Sequence, residues 1–426
     1  MASVQAGSAP LPPRPESIRL FEQMAFGLFL HYGLYSLHER GEWVRHHHRL
    51  DPAAYNARMR QFTATAFDAP AIVQLARDAG QRYICMTTRH HEGFSLYDTR
   101  GLSDFDAPHS AAGRDLVAEM ARACQAEGMP LFLYHTTLDW NHPDFDAPGR
   151  WDAYLEYLNA SVEVLCRHYG PIGGFWFDGN WARKDRDWKE SELYAVCRKY
   201  HPDAILVNNS STGALGHVGH PMLDVITFEQ GRPTRLRREG MARYYAQEMC
   251  ETFNTHWGMA AADVSFKGPP DLIRTLAQCR RFGANLLLNA GPQADGSIGA
   301  YEAAALRVIG HWIRTFAPCI YTGEPTTLLC RGEDFVLRDA PTGRLFYACC
   351  ELPTATNEHA HRGERAGPRT VRGDLPAIGS VQWTDTGEEL AFTQSADRRL
   401  LAFDATANPY GRQAVVRFAE LVCAGA

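Results

Sequence analysis

The chain has 426 residues, 45% of them hydrophobic, with 36 Gly, 24 Pro and a formal net charge of -6. That length exceeds what one hydrophobic core usually supports, so a large domain with a smaller one is expected. The mildly acidic balance with dispersed basic residues excludes the charge footprint of a nucleic-acid or membrane-surface binder, and no apolar run approaches the roughly twenty residues of a membrane-spanning helix.

Residues 1–17, rich in Pro, Ala and Ser without an apolar centre, read as a disordered lead rather than a secretory signal. From 18 to 318 short apolar runs alternate with amphipathic stretches, the pattern of parallel β/α units. The expected strands are Ala25 to Leu30, Tyr83 to Thr88, Pro130 to Tyr134, Gly174 to Phe177, Ala204 to Val207, Val225 to Phe228 and Asn285 to Leu288, with one more between Glu248 and Met259. The clearest helix runs from Arg114 to Ala126, with Leu116, Val117, Met120, Ala121 and Cys124 on one face and Gly128 as its stop. About eight strands in this alternation favour a (β/α)8-type catalytic barrel. Residues 319–426 carry short alternating runs broken by turn residues, expected to form a C-terminal antiparallel β-sandwich, with 354–372 as a long exposed loop.

The eleven cysteines lie mostly alone in apolar segments with no Cys-x-x-Cys pair. They read as buried thiols in a reducing cytoplasm, without structural zinc.

In a parallel barrel the carboxyl ends of the strands share one face, so polar residues ending successive runs converge there. His31, His90, His91, Tyr134, Asp178, Asn208, Asn209, Glu229 and Asn289 occupy such positions. Asp178 ends the run Gly173-Gly174-Phe175-Trp176-Phe177 before Gly179. An Asp-Gly pair is also a common turn, so a turn or capping role stands beside a catalytic one. Two carboxylates, Asp178 and Glu229, among His, Tyr, Asn and the tryptophans Trp43, Trp140, Trp176 and Trp257 suit a polyhydroxylated ligand, whose hydroxyls need many partners and whose apolar faces stack on rings. A glycosidase needs such a pair of carboxyl groups. The competing reading is a metal-dependent barrel hydrolase using His46 to His48, His90 and His91, or His217 and His220. It is disfavoured because His31 is followed by Tyr32, without a His-x-His pair.

Phe26-Gly27-Leu28-Phe29-Leu30-His31-Tyr32-Gly33 with Gly41-Glu42-Trp43, Arg89-His90-His91-Glu92-Gly93-Phe94, Leu133-Tyr134 with Asp139-Trp140, Trp176-Phe177-Asp178-Gly179, Asp224 to Glu229, Glu248-Met249-Cys250 with Trp257-Gly258, and Asn285 to Pro292 resemble, in order, the α-L-fucosidases of glycoside hydrolase family 29. The resemblance spans residues 20 to 325. It implies a retaining exo-glycosidase that removes terminal α-L-fucosyl residues by double displacement, with a carbohydrate substrate, no cofactor, no metal, and homo-oligomerisation left open. Asp178 would be the nucleophile. His31, Glu42, Trp43, His90, His91, Tyr134, Trp176, Asn208 and Trp257 would contact the sugar; Glu229 is the expected acid/base, with Glu248 the alternative for that role and otherwise a contact. Departures leave a different terminal sugar open: Asn208-Asn209-Ser210-Ser211-Thr212 stands where the family carries Asn-Asp-Arg-Trp-Gly, Met259 replaces Tyr, and Arg89 replaces Lys.

Overall fold

The computed structural model describes residues 11–209, 216–350, 352, 365–408 and 414–425. The chain forms two compact units, Met1–Lys267 with Leu286–Leu306, and Gly268–Asn285 with Arg307–Ala426. Of the expected N-terminal lead, residues 1–10 lie outside the described residues, and the helix Glu16–Met24 begins within its last two positions.

Eight strands build one sheet: β1 (Phe26–Leu30), β2 (Ile84–Arg89), β3 (Leu131–Thr136), β4 (Gly174–Asp178), β5 (Ile205–Asn208), β6 (Val225–Glu229), β7 (Ala246–Thr252) and β8 (Ala284–Ala290), in the order β5-β4-β3-β2-β1-β8-β7-β6. The registered neighbours are parallel. Between the outer strands β5 and β6, Asp224 N donates to Leu206 O at 2.9 Å and the Asp224 carboxylate accepts from Leu206 N at 2.8 Å, so backbone groups that would otherwise be orphaned at the seam are satisfied. This nearly closed ring is the expected barrel.

The strands are buried along almost their whole length, which is why they read as continuous apolar runs rather than alternating ones. Inward-facing Phe29, Tyr83, Cys85, Phe132, Tyr134, Trp176, Val207, Val225, Cys250 and Leu287 form one cluster inside the ring. The helix Glu16–Met24 adds Ile18 and Phe21, both fully buried, to that cluster. On the outside, the helix Leu116–Ala126 starts at Asp115, whose side chain accepts from Ala118 N, an N-cap that stabilises by about 1 kcal/mol. Its buried face is Leu116, Val117, Met120, Ala123 and Cys124. Ala121 is only half-buried, because it sits at the rim of the stripe centred on Met120.

The second unit carries two antiparallel sheets. One has the order β10 (Leu329–Cys330), β13 (Arg365–Arg372), β16 (Leu400–Thr406), β15 (Phe392–Gln394); the other has β14 (Ile378–Trp383), β17 (Arg417–Cys423), β12 (Leu345–Cys349), β11 (Phe335–Asp339), β9 (Gly323–Pro325). Val336, Tyr347, Val381, Trp383, Val371, Leu401, Phe403 and Leu421, drawn from both sheets, share one core. The expected loop at 354–372 is corrected in part: Arg365–Arg372 is a strand, while 354–364 lie outside the described residues. Its Gly and Pro concealed it. Pro368 is tolerated because β13 pairs along its length with β16 but meets β10 only at Val371 and Arg372, so that among the described residues most of its other side has no strand partner. The strand β17, not anticipated from the sequence, holds a buried Arg417 that pairs with Asp385 at 2.9 Å and lies 4.1 Å from the Trp383 ring centre. All eleven cysteines are free, and all but Cys330 and Cys423 are buried.

Candidate active site

A cavity of about 310 Å³ opens within the barrel, lined by Phe29, His31, Trp43, His90, His91, Tyr134, Trp176, Asp178, Trp181, Asn209, Glu229 and Trp257. Strand parity explains most of this list. Side chains alternate across a strand, so residues two apart share a face. Phe29 and His31, Trp176 and Asp178, and Thr227 and Glu229 therefore continue inward-facing rows, and the last member of each stands at the strand's carboxyl end.

Asp178 is buried, yet Trp181 Nε1 donates to its Oδ1 at 2.9 Å, Tyr134 Oη donates to Oδ2 at 3.1 Å, and His91 Nε2 lies 3.4 Å from Oδ2. Burial alone would push its carboxyl up, but the contacts from His91, Trp181 and Tyr134 together outweigh it and hold the group below the usual carboxylate range. The chain turns away immediately after. Gly179 has φ 115°, and a Cβ there would lie 2.7 Å from Leu138 N, so only glycine fits the turn that presents Asp178.

Glu229 has the opposite environment. Burial and the charges of Asp178 and Glu42 raise its carboxyl, against a bond of 2.6 Å donated by Asn209 Nδ2. Two carboxyls in one cavity are thus driven apart, one toward the ionised form and one toward the protonated form.

His31 Nδ1 lies 2.6 Å from Asn289 Oδ1, and burial lowers its imidazole to about 3 despite that bond. His90 is lowered well below its ordinary value by burial and by its histidine neighbours. His91 Nδ1 lies 2.6 Å from Thr136 Oγ1. His31 and His90 are accordingly neutral, able to donate or accept toward hydroxyls.

Three expected contacts do not line the cavity. Asn208 bonds to Tyr194 Oη at 2.7 Å on the outer side of the sheet, while Ile205, Val207 and then Asn209 carry the inward parity; the adjacent asparagine is the one that faces the cavity. Glu42 accepts from the backbone N of Trp257 at 3.1 Å and of Gly258 at 2.8 Å, so it holds the loop that carries Trp257. Glu248 stands opposite Thr227 in the register, whereas Glu229 stands opposite Cys250. Glu248 is therefore one layer deeper, where it accepts from Tyr83 Oη at 2.5 Å and Trp176 Nε1 at 2.9 Å. Gly27 makes room for that Tyr83, since a Cβ there would meet its ring at 2.4 Å.

Two lining residues escaped the sequence reading. Trp181 sits on a short 3-10 turn, Asn180–Arg183, which has no periodicity to reveal it. Phe29 was legible only as strand core. Of the departures from the family pattern, Arg89 is buried against Tyr157 Oη at 2.6 Å and Asp139 at 3.7 Å, away from the cavity, and Met259 also lies off it. Positions 210–212 lie outside the described residues. Among the described residues no group of three or more His, Cys, Asp or Glu is arranged to hold a metal ion.

Burial raises the Glu248 carboxyl to about 7, against the bonds from Tyr83 and Trp176. A glutamine could accept from Trp176 through its oxygen and donate to Tyr83 through its nitrogen. Glu248→Gln is therefore expected to retain activity with no dependence on leaving group, whereas Glu248→Ala strands the Trp176 N–H and opens a void, costing about 2–4 kcal/mol in denaturant unfolding. Stronger rate loss for poor leaving groups in Glu248→Gln would return the proton-donor role to Glu248.

Residues 13–317 match the family model described as Alpha-L-fucosidase. The tissue alpha-L-fucosidase of Homo sapiens is 26% identical over 335 residues, covering 72% of this chain and 69% of that protein. The solved alpha-L-fucosidase isoenzyme 1 from Paenibacillus thiaminolyticus is 27% identical, with a TM-score of 0.80 over 96% of this chain and 98% of its own. A covalent intermediate of a Bacteroides thetaiotaomicron alpha-L-fucosidase trapped with 2-fluoro-fucosyl fluoride shares the fold at TM-score 0.80 and 20% identity, over 99% of each chain. With its model matching most of the chain and the two carboxyls converging in one barrel cavity, this chain belongs to the alpha-L-fucosidase family.

Proposed function

We propose that this chain hydrolyses terminal α-L-fucosides with retention of configuration, Asp178 attacking the anomeric carbon and Glu229 protonating the departing oxygen. The observation that carries the reading is the split between the two carboxyls: Asp178 is held ionised by His91, Trp181 and Tyr134, while burial and the Asp178 charge favour protonated Glu229. In the first half-reaction the Asp178 carboxylate forms a bond to the anomeric carbon as the glycosidic bond breaks, and the Glu229 proton passes to the leaving oxygen. In the second, Glu229 takes a proton from water, which attacks the same carbon and displaces Asp178. The neutral imidazoles of His31 and His90 meet sugar hydroxyls, and Phe29, Trp43, Trp176 and Trp257 supply apolar surface to a deoxy-sugar. Ser210 stands where the family carries its arginine; Asn209 before it donates to Glu229 at 2.6 Å, and among the described residues no lysine or arginine lines the sugar cavity.

Retention is read directly by proton NMR of the first-formed sugar from an aryl α-L-fucoside. α-L-Fucose is expected before mutarotation. Initial release of the β anomer would mean that water, not Asp178, attacks the carbon, and would overturn the double displacement.

A further inference from the structure

The two oxygens of the Asp178 carboxylate are not equivalent. Oδ2 faces Tyr134 Oη at 3.1 Å and His91 Nε2 at 3.4 Å, one group for each of its lone pairs. Oδ1 has a single partner among the described residues, the Trp181 Nε1–H at 2.9 Å, and keeps a lone pair free. An oxygen with a free lone pair is the one able to attack a carbon.

Trp181 follows Asp178 by three residues. The chain doubles back as soon as β4 ends: Gly179 takes φ 115° and Ala182 N donates to Gly179 O at 3.0 Å. A 3-10 turn has three residues per turn, which returns residue 181 to the side chain of residue 178. The turn is tied at Asn180, whose Oδ1 accepts from Thr137 Oγ1 at 2.6 Å and whose backbone oxygen accepts from Trp188 Nε1 at 3.1 Å. The indole stacks on Trp43 at 5.7 Å and 22° and stands edge-on to His91 at 5.7 Å and 81°. Packing alone requires no particular ring edge toward a carboxylate, yet this indole directs its one N–H at Oδ1.

We propose that Oδ1 is the attacking oxygen and that Trp181 is a catalytic residue of the second half-reaction, its N–H receiving the negative charge as the fucosyl ester breaks. The inference rests on the double-displacement reading and assigns a step within it. In the first half-reaction Oδ1 bonds to the anomeric carbon as the bond to the leaving oxygen breaks, and the Glu229 proton goes to that oxygen. Oδ1 then carries no charge and accepts from Trp181 only weakly, while Oδ2 becomes the ester carbonyl and still faces Tyr134 and His91. In the second, water bonds to the carbon, its proton passes to Glu229, and the carbon–Oδ1 bond breaks with its electron pair returning to Oδ1. The Trp181 bond strengthens as that charge develops. A donor on the attacking oxygen therefore speeds departure of the carboxylate and does not help its attack, because it is already strongest in the free carboxylate.

The half-reactions are read separately with 2-fluoro-fucosyl fluoride. The rate of inactivation reads attack, and the rate at which activity toward 4-nitrophenyl α-L-fucoside returns after excess reagent is removed reads departure. Trp181→Phe keeps a ring against Trp43 and removes the N–H. It is expected to reactivate about tenfold or more slowly, with inactivation within about threefold of wild type. With 2,4-dinitrophenyl fucoside, whose first step is fast, kcat and KM of this variant fall together and kcat/KM stays near the wild-type value. Tyr134→Phe, which takes its donor from Oδ2, should lack that selectivity for the second step. Unchanged reactivation in Trp181→Phe, equal slowing of inactivation and reactivation, or selective slowing in Tyr134→Phe instead overturns the assignment and leaves the double displacement intact. A wild-type enzyme that the fluoride does not inactivate overturns both.

Discussion

Asp178→Gly is expected to fold normally and to lose about 10⁴-fold or more in kcat, the scale on which removal of a covalent nucleophile acts. The fold should survive because the carbonyl of residue 178, which accepts from Thr137 N at 2.6 Å and Thr137 Oγ1 at 2.9 Å, is untouched. Only the carboxylate goes, and Trp181, Tyr134 and His91 lose the group they face. The void left by the carboxylate admits a small anion. Added azide should therefore restore turnover of an activated aryl fucoside by direct attack on the face Asp178 used, giving β-fucosyl azide with inversion. Circular dichroism and thermal melting check folding, and the anomer of the azide is read by NMR. Near-normal kcat in the variant, or a product of retained configuration, would remove Asp178 from the nucleophilic role.

The second large effect is at Glu229, and its size depends on the leaving group. Loss of a general acid typically costs about 10²–10⁴-fold, most where the departing oxygen is a poor leaving group. Glu229→Ala should thus cripple cleavage of oligosaccharides while sparing formation of the fucosyl-enzyme from dinitrophenyl fucoside. Azide then attacks that intermediate, so the product is α-fucosyl azide, the opposite anomer to the Asp178→Gly product. The pH profile carries an independent sign. Burial and the Asp178 charge raise the Glu229 carboxyl, so wild-type kcat/KM persists below that titration and falls as pH rises through it, while the acid limb follows protonation of the lowered Asp178. The two carboxyls titrate as a pair, so the limbs report the pair. Glu229→Gln assayed on the activated substrate should keep the acid limb and lose the alkaline one. An unchanged alkaline limb would assign that titration to another group.

The barrel was legible in the chain because its strands are buried on both faces and appear as apolar runs such as Gly174 to Phe177, and because a 3.6-residue apolar stripe stopped by Gly128 marks a helix between two of them. Asp178 and Glu229 were legible for the same reason: each ends such a run, and parallel strands deliver their carboxyl ends to one face. Strand β13 was hidden by its Gly and Pro, which are tolerated where β10 does not reach it.

What the sequence by itself determined was local and periodic: which runs are strands, which residues end them, and which ordered motifs mark the family. Tertiary structure alone decided which of two like neighbours faces the cavity, because a strand reverses its side chains at every residue and the parity of Asn208 and Asn209 is set by Val207 packing inward. It also decided depth. Glu229 and Glu248 both point into the barrel, but the register pairs Glu229 with Cys250 and Glu248 with Thr227, leaving one at the mouth and one a layer below, bonded to Tyr83 and Trp176. Register is a relation between strands distant in sequence, fixed by packing around the whole ring, so no single segment carries it.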